Sequence, residues 1–208
     1  MAKRFIVLLI AAAFVLPSMV TAQEAAAGAA SGGILDRIDY TARGGLSMPF
    51  GDMGDMFKMG LCIGIDGFVH YRDNYYIGGS IAYNRWGLDS DFVGDDAEGS
   101  GSMIEFVPKV RYLFDRKEGS NKTFYAQAGA GFYRFAYDYE WETDFGYPGV
   151  PEETYSADDS EINLGICFGG GIMIHQSESL TWEVRPEVHI VFADDNANYL
   201  TITGGFTF

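Results

Sequence analysis

Tyr199-Leu-Thr-Ile-Thr-Gly-Gly-Phe-Thr-Phe208 alternates apolar residues with small or polar ones up to a terminal aromatic. Successive side chains of a strand point to opposite faces. Leu200, Ile202, Phe206 and Phe208 therefore share one face, and Thr201, Thr203, Gly205 and Thr207 the other. A strand with one apolar and one polar face suits a barrel wall that shows hydrocarbon its outside and a polar lumen its inside.

Seven more segments of this kind precede it. About 37–50 sets Ile38, Tyr40, Ala42, Leu46, Met48 and Phe50 against Asp39, Thr41, Arg43 and Ser47. About 57–71 sets Phe57, Met59, Leu61, Ile63, Ile65, Val69 and Tyr71 against Lys58, Gly60, Cys62, Gly64, Asp66 and His70. About 75–86 has Tyr75, Ile77, Ile81 and Tyr83 over Gly78, Ser80, Ala82 and Asn84. About 102–114 is the clearest, with Ile104, Phe106, Pro108, Val110, Tyr112 and Phe114 opposite Glu105, Lys109 and Arg111. About 123–137 and 161–174 place aromatic, Ala, Ile and Leu residues outward, and Gln127, Asn163, Cys167 and glycines inward. About 180–192 carries Trp182, Val184, Pro186, Val188, Ile190 and Phe192 over Glu183, Arg185, Glu187 and His189. Each reaches the ~9–11 residues that a tilted strand needs to cross a bilayer.

The connections are uneven. Segments 72–74, 115–122 and 175–179 lie on one side and are short; 51–56, 87–101, 138–160 and 193–198 lie on the other, and two of these are long. Outward aromatics gather near both ends. Tyr40, Tyr71, Tyr75, Tyr112, Phe114, Phe124, Trp182, Phe206 and Phe208 lie toward the turns, and Phe50, Phe57, Tyr83, Phe132 and Phe192 toward the loops. Rings favour the headgroup level, so two girdles are expected. The fold class that follows is all-β: an eight-stranded antiparallel up-and-down transmembrane β-barrel. Glu105-x-x-Pro108 and Glu183-x-x-Pro186 fall inside strands. Proline gives no N–H to the ladder, so a bulge or one missing bond is expected at each.

Residues 1–22 read as a secretory signal, with Lys3 and Arg4 ahead of an apolar run from Phe5 to Leu16 and small residues before Gln23. Residues 23–36 read as a flexible Ala/Gly-rich leader, and 37–208 as the barrel. Two cysteines are too few for a disulfide framework, and Cys62 and Cys167 are expected far apart around the wall as free thiols.

The chain resembles the small outer-membrane β-barrel domain family, the OmpA-like and OmpX-like eight-stranded barrels. The signal segment, the alternating strands, the Glu-x-x-Pro strands and Phe208 carry the likeness. It implies a multi-pass protein of the outer membrane of a Gram-negative-type bacterium, in contact with outer-membrane lipid and lipopolysaccharide. Such a fold hosts scaffolds, adhesins, small pores and some lipid-modifying enzymes, so it does not fix an activity.

No catalytic constellation is legible. His70, His175 and His189 lack a serine at the needed spacing, and no nucleophile elbow, His-Glu-x-x-His zinc site or paired-cysteine motif occurs. The expectation is no enzyme, no cofactor and no metal centre. The inward charges Arg43, Asp66, Glu105, Lys109, Arg111, Glu183, Arg185, Glu187 and His189 are expected to form a lumen network. Strands two, three, five, six and eight, lined with small residues, would leave room for it. An eight-stranded barrel is about wide enough for side chains to fill, so a plugged interior is expected over an open channel.

The four outer segments hold 17 of the 29 acidic residues and none of the 14 basic ones. That charge repels nucleic acid and attracts divalent cations or a basic protein. Asp89 and Asp91 in one loop, and Trp141, Phe145 and Tyr147 among the acids of another, are the candidate recognition residues. Packing of those aromatics over the barrel mouth is the competing reading. The functional expectation is a structural or surface-interaction protein; the alternatives are a narrow porin-like channel for small solutes and, more remotely, a lipid-modifying enzyme.

Overall fold

The computed structural model describes residues 38–89, 97–114, 120–143, 153–176, 180–193 and 197–207. The expected signal segment, the leader and Phe208 lie outside them. Eight strands, β1 (Ile38–Phe50), β2 (Gly60–Arg72), β3 (Tyr75–Gly87), β4 (Ala97–Leu113), β5 (Lys122–Thr143), β6 (Glu153–His175), β7 (Thr181–Phe192) and β8 (Asn198–Thr207), close into a barrel in sequence order. The closing seam pairs β1 with β8 antiparallel from Thr41↔Thr207 to Phe50↔Asn198. A short helix, α1 (Asp52–Met56), lies between β1 and β2 and is entered through Gly51 at φ 67°. That left-handed backbone favours glycine.

Alternation decides which face each residue takes. Ile63, Leu61, Leu164, Phe192 and Phe124 are among the most exposed large apolar side chains, while Glu105, Arg185, His189 and Thr201 are fully buried. The molecule is apolar outside and polar within, and a continuous apolar band of this size is foreign to a water-soluble monomer.

Both in-strand prolines keep register. Pro108 stays paired with Gly79 of β3, whereas the β5 side of the ladder steps from Phe106↔Phe132 to Lys109↔Gly129. Pro186 stays paired with Ile202 of β8, whereas the β6 side steps from Gly169↔Glu187 to Ile172↔Val184. Each proline thus interrupts pairing on one side and causes no bulge. A register shift falls instead between His70 and Arg72 of β2.

Three expectations need correction. Phe57 does not face outward with the loop-side girdle. It follows α1 and is buried at 3% exposure, with its ring edge-on to Phe135. The long outer segments are not loops throughout. β4, β5 and β6 have 17, 22 and 23 residues, well beyond the ~9–11 that span a bilayer, so a three-stranded sheet rises past the barrel wall. The inner lining of β2, β3, β5 and β8 is not confined to small residues, because Phe68, Trp86, Tyr125, Tyr133 and Tyr199 are all buried inside. Glycines on β6 make room for two of these rings: a side chain at Gly165 would strike the Tyr133 ring, and one at Gly171 the Tyr125 hydroxyl.

Candidate functional site

The nine inward residues read from the sequence meet in one network that ties β1, β2, β4 and β7 across the lumen. Arg185 is its hub. Its guanidinium lies 2.7 Å from Asp66, 3.5 Å from Glu187 and 3.6 Å from Glu183. Asp66 is shared with Arg43 at 3.3 Å, and Arg43 reaches Glu105 at 3.0 Å. Lys109 donates to Glu187 at 2.5 Å, and Arg111 lies 3.5 Å from Glu183. Nδ1 of His189 is 3.1 Å from Glu105. Arg43, Lys109, Arg111 and Arg185 face Asp66, Glu105, Glu183 and Glu187, so four cations balance four anions.

Neutral groups add hydrogen bonds to this network. The Gln127 carboxamide oxygen accepts from Arg111 at 3.0 Å and Arg185 at 3.4 Å, and its nitrogen donates to Glu187 at 3.1 Å. Tyr199 donates to Glu105 at 2.7 Å and Tyr125 to Glu183 at 3.3 Å. Buried charges are tolerable only when paired and hydrogen-bonded in this manner.

Aromatic groups cover the ionic layer at both ends. Toward the short turns, Arg111 is held between the rings of Phe68 and Tyr125, 4.0 and 4.3 Å from their centroids. Toward the loops, His189 stacks on Tyr199 with centroids 4.4 Å apart, and Trp86 packs edge-on against Tyr199 at 5.3 Å. Beyond them Met53 of α1, Phe57, Met103 and Val191 form an apolar cluster, each no more than 4% exposed. α1 thus acts as a stopper: its Met53 and the adjacent Phe57 fill the mouth.

These inner aromatics were not among the residues expected inside. Each stands two positions from a recognised inward residue: Phe68 from Asp66, Trp86 from Asn84, Tyr125 from Gln127 and Tyr199 from Thr201. Strict parity from the charges would have found them. Cys62 and Cys167 are buried free thiols, and Arg43 donates to the Cys62 sulfur at 3.3 Å.

The second candidate site is the sheet above the barrel. β5 and β6 pair from Lys122↔Ile174 to Thr143↔Glu153 without a break. Asp138 stands directly opposite Asp158, and Glu140 is the register partner of Glu98 of β4. The opposite parity carries Phe135, Tyr137 and Tyr139, whose rings follow one another at 5.9 and 6.0 Å. Trp141 occupies the next position of that parity, in register with Ala97 and Tyr155. Asp89 lies 3.5 Å from Lys58. Asp91, Phe145 and Tyr147 lie outside the described residues.

This frame has solved counterparts. Neisserial surface protein A is similar over 82% of this chain and 95% of its own, at 13% identity and a TM-score of 0.56. The fold is that of the small eight-stranded outer-membrane barrels. OprG from Pseudomonas aeruginosa, also at 82% of this chain and 95% of its own, is 12% identical with a TM-score of 0.49. Ail of Yersinia pestis covers 82% of this chain and 97% of its own, at 12% identity and a TM-score of 0.48. No protein-family model and no curated protein matches the sequence. At these identities the likeness concerns the fold alone.

Proposed function

We propose that this chain is an integral outer-membrane protein of a Gram-negative-type bacterium, with a sealed lumen and a structural or surface-interaction role exercised by the sheet above the membrane. One observation carries the reading: Asp138 and Asp158 stand directly opposite each other, both exposed, on the outward face of that sheet, and Glu98 and Glu140 are register partners two residues further along the ladder. Like charges directly opposite destabilise a ladder, and a cationic partner offsets that repulsion. The partner is a basic protein surface or a cation-bridged lipopolysaccharide sugar, and the interaction is binding rather than catalysis.

The porin-like alternative is less well supported. Among the described residues the lumen charges are no more than 5% exposed, too little for a water-lined passage of solute width, and the apolar cluster around Met53 and Phe57 sits at the mouth.

The test shortens the hairpin. Tyr137 and Asp159 are register partners, so residues 138–158, which include the facing Asp138 and Asp158, can be replaced by an Asn-Gly turn, which suits a two-residue hairpin. In wild type, binding to poly-lysine is expected to weaken as salt rises, since screening acts over a Debye length of about 8 Å at physiological salt. Binding to purified lipopolysaccharide is expected to require calcium. The shortened barrel is expected to fold and lose the interaction. Unchanged binding by that variant, or indifference to salt, would make the acidity a solubility device.

A further inference from the structure

The short-turn end of the barrel carries a groove on its outer, lipid-facing side. It has a volume of about 530 Å³ and is lined by Tyr71, Arg72, Asp73, Tyr75, Ile77 and Val110. It lies at the register shift on β2. His70 pairs with Tyr76, but Arg72, two residues on, pairs with Tyr75. Tyr71 is therefore the extra residue of a bulge, and bulges re-aim side chains. Without it, Arg72 would share the inward parity of Asp66, Phe68 and His70. With it, Arg72 takes the face of its partner Tyr75, which is 47% exposed on the outside.

The turn is held in that form. Asp73 has φ 50°, a left-handed value that Asp and Asn tolerate better than most residues. Its carbonyl lies 2.7 Å from Nε2 of His70. Arg72 and Asp73 are 3.2 Å apart with both side chains at least three-quarters exposed. An ion pair so exposed is worth about 0–1 kcal/mol, so another pair of charges can replace it.

Polarity falls in a fixed order along the groove. Arg72 and Asp73 stand at the turn, the phenols of Tyr71 and Tyr75 come next, and Ile77 and Val110, register partners, lie deeper. Tyr75 and Ile77 are two residues apart, or roughly 7 Å along the strand. Tyr112 extends the aromatic level, its ring 5.0 Å from Tyr75. A cation beside an anion, then phenols, then aliphatic wall is the complement of a zwitterionic phospholipid: phosphate, ammonium, ester region and acyl chain.

We propose that this groove seats an aminophospholipid of the leaflet on the short-turn side. Its phosphate lies on Arg72, its primary ammonium on Asp73, and an acyl chain runs along Ile77 and Val110. The carboxylate selects the ammonium headgroup. An anionic glycerol headgroup would meet Asp73 as a like charge, and a quaternary amine offers it no N–H. The proposal rests on the membrane-barrel reading above.

Protein reconstituted in nanodiscs containing equal phosphatidylethanolamine, phosphatidylglycerol and phosphatidylcholine, then released and read by native mass spectrometry, tests it. One interfacial charge is worth about 1 kcal/mol, or about fivefold. Wild type is expected to retain phosphatidylethanolamine about fivefold over phosphatidylglycerol, and also over phosphatidylcholine, whose quaternary amine keeps the charge but donates no hydrogen bond. Arg72→Gln is expected to abolish that enrichment. Asp73→Asn, which keeps a residue suited to the left-handed turn, is expected to shift retention toward phosphatidylglycerol. Lys58→Gln, at the other end of the barrel, is expected to change nothing. A gel band whose mobility changes on heating reports the folded barrel in each case. Equal retention of the three lipids by inserted wild type, or enrichment that survives both turn substitutions, overturns the site while leaving the barrel reading intact. Failure of wild type to enter nanodiscs overturns both.

Discussion

Arg185→Ala is expected to cost the barrel roughly 3–5 kcal/mol of stability, the range found when one partner of a buried ion pair is removed. The guanidinium is 0% exposed and contacts Asp66, Glu183 and Glu187. Its loss leaves four buried carboxylates to three cations. Arg43, Lys109 and Arg111 keep one contact each to those acids, so folding is weakened and not abolished. Arg185→Lys is expected to fall between, because one ammonium cannot reach three carboxylates as a fork does. Denaturant titration in detergent, followed by gel mobility, reads these differences. The same variants test the seal. In planar bilayers wild type is expected to show no large steady conductance steps, and Lys109→Ala and Arg185→Ala to raise the residual current. A stability loss under about 1 kcal/mol would mean that water already screens these charges as it does surface pairs.

Ile81→Arg is expected to impair folding into a bilayer by about 2–4 kcal/mol, the depth-dependent cost of a cation on the lipid face near the midplane. Ile81 is 53% exposed at the middle of β3 and pairs with Ile65 and Phe106. In a water-soluble barrel the same exposed position would tolerate arginine within about 0.5 kcal/mol. Leu61→Arg is the control by depth. Leu61 is 66% exposed and is the register partner of Arg85, itself exposed. A cation near the interface costs only about 0–1 kcal/mol. Equal, small effects at both positions would remove the hydrocarbon from the account.

The outward pattern was legible because lipid demands an apolar residue at nearly every second position, as in Leu61-x-Ile63-x-Ile65 and Ile162-x-Leu164-x-Ile166. The interior was only half legible. Charges declare an inward position, but a ring does not, and pairs such as Phe124-Tyr125 and Phe132-Tyr133 look apolar on both faces. The small residues were read correctly as making space, yet Gly165 and Gly171 make it for tyrosines of the neighbouring strand. The raised sheet was hidden because Asp and Glu are poor strand formers. Its signal was the period-2 run Phe135-x-Tyr137-x-Tyr139-x-Trp141. Phe57 misled because β2 begins only at Gly60, so Phe57, directly after α1, lies outside the strand to which its alternation seemed to belong.

An apolar exterior made for lipid, around a charged interior made for the protein itself, should fold only where lipid is present. Diluting the urea-unfolded chain into buffer with and without phospholipid vesicles, and following β-type circular dichroism together with unheated gel mobility, tests it most directly. A folded, faster-migrating band is expected only where vesicles are present. A monomer that folds and stays soluble without lipid or detergent would contradict it.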